Sequence, residues 1–280
     1  WCYDQAHDVF KFGDRYYHLA VTQNGHDFPL LIVMPGGNES DYTLSLTAFD
    51  RFLKAAEENG TAIRPEYFIG DGHHDSYARY QYFAEKEVIP VIPLSGNSKN
   101  AYRRLSEDEN TRYDTDGTPL CPGGTRMRRH GFDKNKQTHI FSCPAKRGTH
   151  RNGKFVYVMH TAECPLQKDC APGSPAGPFV RVKSADDPRL FPPLPRNTEK
   201  FGELSDQRSA SERLNAVYDN YNVEKSCRNA VRGLIRLNLA AIAHHAVIRF
   251  SESLKGTSEA ELFARTVAGL RAGFGTADRN

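Results

Sequence analysis

Two apolar, β-rich runs lie near the start of the chain, 15–22 (RYYHLAVT) and 28–34 (FPLLIVM), linked by Gln23-Asn24-Gly25-His26-Asp27. The Asn-Gly step predicts an antiparallel hairpin, and Pro35-Gly36-Gly37 ends its second strand. Leu46, Phe49, Leu53 and Ala56 then recur at three- and four-residue steps, which predicts a helix over 44–58 closed by Asn59-Gly60. Tyr67-Phe68-Ile69 reads as a buried strand that stops at Gly70-Asp71-Gly72. A helix is expected from Ser76 to Lys86, with Tyr77, Tyr80, Phe83 and Ala84 inward as core and Asp75 as its N-cap. Val88 to Leu94 is a further strand, whose two prolines suit an edge or irregular position. A hairpin followed by alternating strands and helices predicts an α/β fold, a mixed sheet flanked by helices.

From Ser95 to Glu203 the periodicity weakens, and Gly, Pro, Asn and basic residues dominate. Only 138–141 (THIF) and 155–159 (FVYVM) read as short strands, so 96–203 is expected to be an insertion carrying a small β-rich, cysteine-bearing module. Pro192-Pro193-Leu194-Pro195 reads as a stiff link back to the main domain. The pattern predicts a helix over 206–221 with Ser205 as N-cap. Arg208, Glu212, Asn215 and Asp219 line its polar face, and Leu214, Val217, Tyr218 and Tyr221 its apolar one. A long helix follows over 223–254. Its Leu234–Ile242 stretch is apolar nearly all round, which predicts deep packing, and it is too short to cross a bilayer. A last helix spans 258–271, after which the tail should fray. The domain reading is therefore 1–95 as the first part of a core, 96–203 as the insertion and 204–280 as the helical remainder.

With 39% apolar and 25% charged residues among 280, the chain is long enough to bury a core and too apolar to be disordered. No secretory signal is recognisable. The first residue is Trp1, and an upstream portion is expected. Net charge is only +3, but 121–154 holds nine basic residues against one acid, Asp133, so the rest of the chain is net acidic. A basic patch that includes Arg126, Arg128 and Arg129 points to a polyanion such as nucleic acid, with a solvated basic loop as the plain alternative.

Asp71 stands where a strand gives way to a glycine turn, at the sheet edge where ligands bind in α/β folds. It reads as a metal-binding catalytic carboxylate, or as a residue that merely finishes the turn. Glu212 is its candidate partner. Paired divalent ions about 3.5–4 Å apart need several oxygen ligands and stabilise both the attacking and the leaving oxygen of a phosphoryl transfer. Arg208, one turn before Glu212, could hold a phosphate or orient the acid. The alternative is a surface ion pair worth about 0.3–0.5 kcal/mol, in the less favourable Arg-before-Glu order. Cys121, Cys143, Cys164 and Cys170 fall in one segment and could form a structural zinc site, with His139, His150 or His160 as substitutes for one thiolate, or they could be unconnected. His73 and His74 beside Asp71 could touch substrate phosphates or form a solvated pair, His244 and His245 read as satisfied core or surface histidines, and Cys227 as a buried thiol.

In this order, FGDRYYHLAV…FPLLIVMPGGNESD, IGDGHHDS with VIPVIPLSGN, and RSASERLNAVYDNYNVE resemble the DDE-type transposases of bacterial insertion sequences. The middle, with FSCP and CPLQKDC, is similar to a cysteine-bearing insertion found in some of them. The resemblance covers most of the chain. It implies an RNase H-like catalytic domain in the bacterial cytoplasm on the nucleoid. Such a domain cuts double-stranded DNA and joins it to a target with Mg²⁺ or Mn²⁺, in some cases as a homodimer on DNA. Asp71 would be the second acid, Glu212 the third, and Arg208 the Arg of the Arg-x3-Glu signature. Two positions depart from the pattern: Ser205 replaces a Tyr three residues before Arg208, and Asp219 replaces a Lys seven after Glu212. The first acid is expected upstream of Trp1, with Asp4 ahead of Asp8 and Asp14 as the alternative within the chain. A fragment lacking it would be inactive. Two other readings stand beside this one, an inactive zinc-held DNA-binding remnant and a metal-dependent nuclease.

Overall fold

The structure is a computed structural model describing residues 2–4, 9–11, 16–34, 39, 41–95, 111–114, 116–160, 164, 166, 170–171, 173–221, 223, 229–257 and 259–276. The chain divides into two units, residues 1–64 with 207–280, and residues 65–206.

The first unit is built on the predicted hairpin. β3 (Tyr17–Gln23) and β4 (His26–Val33) pair antiparallel around Asn24 and Gly25. Both turn residues have positive φ, 52° and 78°, the backbone a two-residue turn needs to match strand twist. The register shifts between Leu19 and Ala20, so that Leu19 faces Leu31 while Ala20 faces Pro29. The bulge falls beside the proline, which has no N–H to give to a ladder. A shorter pair, β1 (Cys2–Asp4) and β2 (Val9–Lys11), precedes the hairpin.

Helix α1 (Asp41–Glu58) packs on the hairpin through the buried Leu44, Ala48 and Phe49. Its end is the expected one. Gly60, at φ 68°, lets Thr61 N–H reach the Ala56 carbonyl at 2.8 Å. Further along the chain α4 (Ala210–Asn220), α5 (Ala230–Ser253) and α6 (Glu259–Thr276) complete the unit. Its core joins Ile32 of the hairpin to Leu214 and Tyr218 of α4 and to Leu237, Ala240 and Ala241 of α5.

Polar contacts fix the same packing. Asp27 takes Arg213 Nε at 2.5 Å and Nη2 at 2.9 Å. His244 and His245 give their Nε2 protons to the Asp27 and Pro29 carbonyls, each at 2.9 Å. A carbonyl only accepts, so these bonds also set both tautomers. Each histidine is thus bonded through its Nε2 to a hairpin carbonyl. Two expectations fail. The Leu234–Ile242 stretch is not deeply packed: Ile235, Leu239 and Ile242 are 53%, 60% and 65% exposed, because only one side of α5 meets the hairpin and α4. The last helix also runs on through Gly273 to Thr276.

The second unit opens with a strand–helix–strand element. β5 (Tyr67–Ile69) and β6 (Ile89–Val91) are parallel, and α2 (Tyr77–Glu85) connects them. Phe68 stacks on Phe83 at 4.3 Å, and Tyr80 and Phe83 are fully buried, so these aromatics are core as predicted. β7 (Arg112–Tyr113) pairs with β8 (Pro119–Leu120). β9 (Arg128–Asp133), β10 (Thr138–Ser142) and β13 (Phe179–Lys183) form an antiparallel sheet with β10 central. β11 (Lys146–Arg151) and β12 (Lys154–Met159) form a second hairpin with both turn residues, Asn152 and Gly153, at positive φ. Helix α3 (Glu199–Asp206) ends the unit.

The sequence suggested two strands in the middle segment, and the described residues hold seven. The missed ones, such as RRHGFD and KRGTHR, carry charges and glycines because each exposes at least one face. Nor is 192–195 a linker. Pro192 and Pro195 are buried, and the Pro192 carbonyl takes His139 Nε2 at 3.0 Å. Leu190 and Phe191 join Tyr113, Met127, Phe141 and Val182 in the core. The described sheets are five pairs and one triplet, a mixed α/β architecture in which the expected single mixed sheet is not seen among the described residues.

Candidate active site

Asp71 lies two residues past the C-terminal end of β5. Gly70 extends the parallel pairing by giving its N–H to the Val91 carbonyl at 3.2 Å. A Cβ on Gly70 would stand 2.8 Å from the His74 ring, so any side chain there would push that ring out. Asp71 then caps the 3₁₀ turn Gly72–His74, its Oδ1 taking the His73 N–H at 3.0 Å. Oδ2 stands 3.4 Å from His73 Nδ1, and the side chain is 40% exposed. The turn-finishing reading therefore holds. The carboxylate finishes a turn and remains accessible at the end of a parallel strand. His73 is exposed, but His74 is not the solvated partner expected. Its ring is buried edge-on to Phe68, in the space the missing Gly70 side chain leaves.

Asp75 is not the cap of α2; Ser76 occupies that position. The Asp75 carboxylate has no exposed surface and makes a two-pronged pair with Arg189, Nε to Oδ1 at 2.8 Å and Nη2 to Oδ2 at 2.6 Å. Its Oδ2 also takes Ser95 N–H at 2.8 Å. The Arg189 guanidinium lies over the Tyr77 ring, and the Tyr77 hydroxyl donates to Asp187 at 2.9 Å. Burial first, then Asp187, pushes the Tyr77 hydroxyl up to about 12. Arg196 gives its guanidinium protons to the Ile92 carbonyl, the Arg189 carbonyl and the Tyr80 hydroxyl. The loop bearing Asp71 is thus fastened to 187–196 by ionic and hydrogen bonds. Sequence reasoning missed these residues. Their signal was a pair of acids followed by an arginine, Asp186-Asp187-Pro188-Arg189, in a segment read only as basic insertion.

Glu212 stands exposed in the first turn of α4. Arg208 lies outside that helix, exposed, in a 3₁₀ turn between α3 and α4, so the two do not share one regular helix face. Ser205 is inside α3, and the predicted cap is replaced by Ser209. The anchor of this region is the neighbour of Glu212, Arg213. Its hydrogen bonds hold the Asp27 carboxyl below its ordinary range, against the opposing effect of burial. Asp71 belongs to the second unit and Glu212 to the first. Asp4 lies on β1, while Asp8, Asp14 and Cys227 fall outside the described residues.

Arg126 pairs with Asp114 at 3.1 Å and with Asp116. Arg129 donates to Asn197 at 2.7 Å and lies over Phe141, while Arg128 is half-buried. Besides Arg126, the exposed cations of the basic segment are Lys134, Lys136, Arg147, Arg151 and Lys154. Cys121, Cys143, Cys164 and Cys170 are free thiols. His139 bonds the Pro192 carbonyl through Nε2, and burial holds its pKa down at about 4. Among the described residues no three His, Cys, Asp or Glu side chains form a ready-made metal cage, and no helix is long and apolar enough to cross a membrane.

No curated protein and no solved structure matches the chain. Residues 1–244 match the family model described as Transposase DDE domain, and the protein belongs to that family.

Proposed function

We propose that this chain carries the RNase H-like catalytic core of an insertion-sequence transposase, which cuts DNA at the element's ends and joins the freed 3′-hydroxyl to target DNA. The observation that carries the reading is Asp71, an accessible carboxylate past the end of a parallel strand in a member of a transposase family. The donor chemistry fits a hard divalent cation such as Mg²⁺ or Mn²⁺: Asp71 and Glu212 offer oxygens, and both are reached by solvent. When bound, such ions would activate the attacking oxygen and stabilise the leaving one.

The protein's own residues have separate tasks. Asp71 and Glu212 hold the charge that recruits the cations. The turn under Asp71 fixes its Oδ1 on the His73 N–H, while Oδ2 stands 3.4 Å from His73 Nδ1. The Asp75–Arg189 pair keeps that turn from shifting. Arg208, exposed ahead of Glu212, is placed to meet a DNA phosphate. The basic middle segment grips the DNA backbone, on the nucleoid, with a second copy of the chain on the other element end.

A Mn²⁺-dependent nicking and strand-transfer assay on element-end DNA tests this. Asp71→Asn and Glu212→Gln should each reduce product by at least a hundredfold while leaving DNA binding intact. Cleavage without joining would make the protein a nuclease. If the unsubstituted chain binds DNA but neither nicks nor joins it, the remnant reading replaces this one.

A further inference from the structure

Among the described residues, β11 and β12 pair only with each other, and their register sorts the side chains of this ribbon by face. Residues directly opposite in an antiparallel pair project on the same side. Lys146 with Met159, Gly148 with Tyr157 and His150 with Phe155 therefore share one face. Arg147 with Val158, Thr149 with Val156 and Arg151 with Lys154 share the other. The first face is aromatic, and the second carries the cations Arg147, Arg151 and Lys154. No acid occurs between Lys146 and His160. Both faces meet solvent. Phe155 is 57% exposed and Met159 46%, and Arg147, Arg151 and Lys154 are exposed as well.

The aromatic face is held in order from within. Phe155 meets His150 and Tyr157 edge-on, each with ring centroids 5.3 Å apart. The ring can lie across the ribbon because Gly148 has no side chain. A Cβ there would collide with Phe155 Cζ and stand 3.0 Å from Cε2. Covering a strand glycine is one use for such a ring, but that use does not call for an acid-free ribbon with cations on its other face. At the base of the aromatic face Lys146 donates to the Ser174 carbonyl at 3.4 Å, which fastens the ribbon there.

We propose that the aromatic face of this ribbon is a stacking platform for unpaired nucleotides, so that the hairpin holds a single-stranded stretch of DNA. Every base offers a π-face to an aromatic ring whatever the sequence, and the phosphates beside it need cations within reach. Paired strands lie about 4.8 Å apart, so the ribbon is narrow enough for long basic side chains to reach round its edge to the strand on the other face. Phe155 supplies the stacking surface, and His150 and Tyr157 buttress it. A duplex keeps its bases stacked on one another, so it engages the cations without the ring. The platform rests on DNA being the partner, as in the proposed function, and is independent of Asp71 and Glu212.

Fluorescence anisotropy on the full chain, in EDTA, with a labelled single strand and with a blunt duplex of the same sequence, tests this. Phe155→Leu keeps an apolar side chain over Gly148 and every charge. It should weaken single-strand binding by about five- to a hundredfold, leave duplex binding nearly unchanged, and leave the salt slope of both as it was. Gly148→Ala alters no aromatic or charged group but pushes the ring aside, and should also weaken the single strand selectively. Phe155→Trp, which enlarges the π-surface, should retain the affinity. In the unsubstituted protein, a strand carrying iodouracil should photocrosslink to Phe155, as mapped by peptide mass spectrometry, so the test stands even if a variant does not fold. Equal losses for single strand and duplex overturn the proposal, as do an unchanged single-strand affinity in Phe155→Leu and crosslinks that fall only outside the hairpin. A parent that binds duplex but no single strand overturns the platform alone. Loss of nicking in Asp71→Asn has no bearing on these readouts, so the platform and the catalytic reading fail separately.

Discussion

His18 shows how a single buried side chain ties stability to pH. It sits between Tyr16 and Tyr218, and neither ring nitrogen has a hydrogen-bond partner. Burial lowers its pKa from 6.5 to about 4. The unfolded chain therefore takes up a proton near pH 6.5 and the folded one only near 4. Stability contributed at this position is complete above pH 6.5 and falls as the pH drops towards 4. His139 in the second unit behaves alike, also for burial first. His18→Phe keeps the aromatic contacts and removes the orphaned nitrogens. It should raise stability at pH 7 by about 1–2 kcal/mol, and flatten the loss below pH 6.5 in the first unit. Urea unfolding at pH 7 and pH 5 reads both. Equal destabilisation of variant and parent between these pH values would show that His18 is not the group responsible.

At the scale of elements, the βαβ piece around Asp71 depends on a pair that sequence patterning could not reveal. Local signals were legible where one element decides the matter: Asn24-Gly25 for the hairpin, Asn59-Gly60 for the end of α1, and Tyr67-Phe68-Ile69 for β5. Asp75 misled because it also fits a helix cap, and its true partner, Arg189, lies 114 residues away. The same distance problem hid Asp187 and Arg196. Likewise, the apolar stretch of α5 reveals hydrophobicity but not how many neighbours cover it. Breaking one side of a buried ion pair leaves a charge without compensation, at a cost of about 3–5 kcal/mol. Asp75→Asn should accordingly lower the unfolding midpoint of the second unit sharply. Replacing both partners together, Asp75→Leu with Arg189→Met, should recover most of that loss. A double-mutant cycle by chemical denaturation measures the coupling, and additive costs would remove the pair from its role in holding the Asp71 turn.

On the proposed function, charge along the chain decides where DNA would be gripped. Composition located the basic segment, but it could not say which cations were already spent. Arg126 is neutralised by Asp114 and Asp116, and Arg129 is half-buried against Phe141 and Asn197. Arg147, Arg151 and Lys154 stand exposed on the β11–β12 hairpin, with Lys134 and Lys136 in the turn between β9 and β10. Each cation that neutralises a phosphate contributes about 0.9 to the slope of log affinity against log salt. Substituting Arg147, Arg151 and Lys154 by Gln should therefore reduce that slope by about 2–3, and weaken binding similarly for all sequences, since phosphate contacts carry no base information. Arg126→Gln should leave the slope nearly unchanged, because its charge is already paired with Asp114 and Asp116. Fluorescence anisotropy with a labelled duplex over a salt series separates the two variants. A slope that responds to Arg126 and ignores the hairpin would move the DNA contact to the Asp114–Arg126 region.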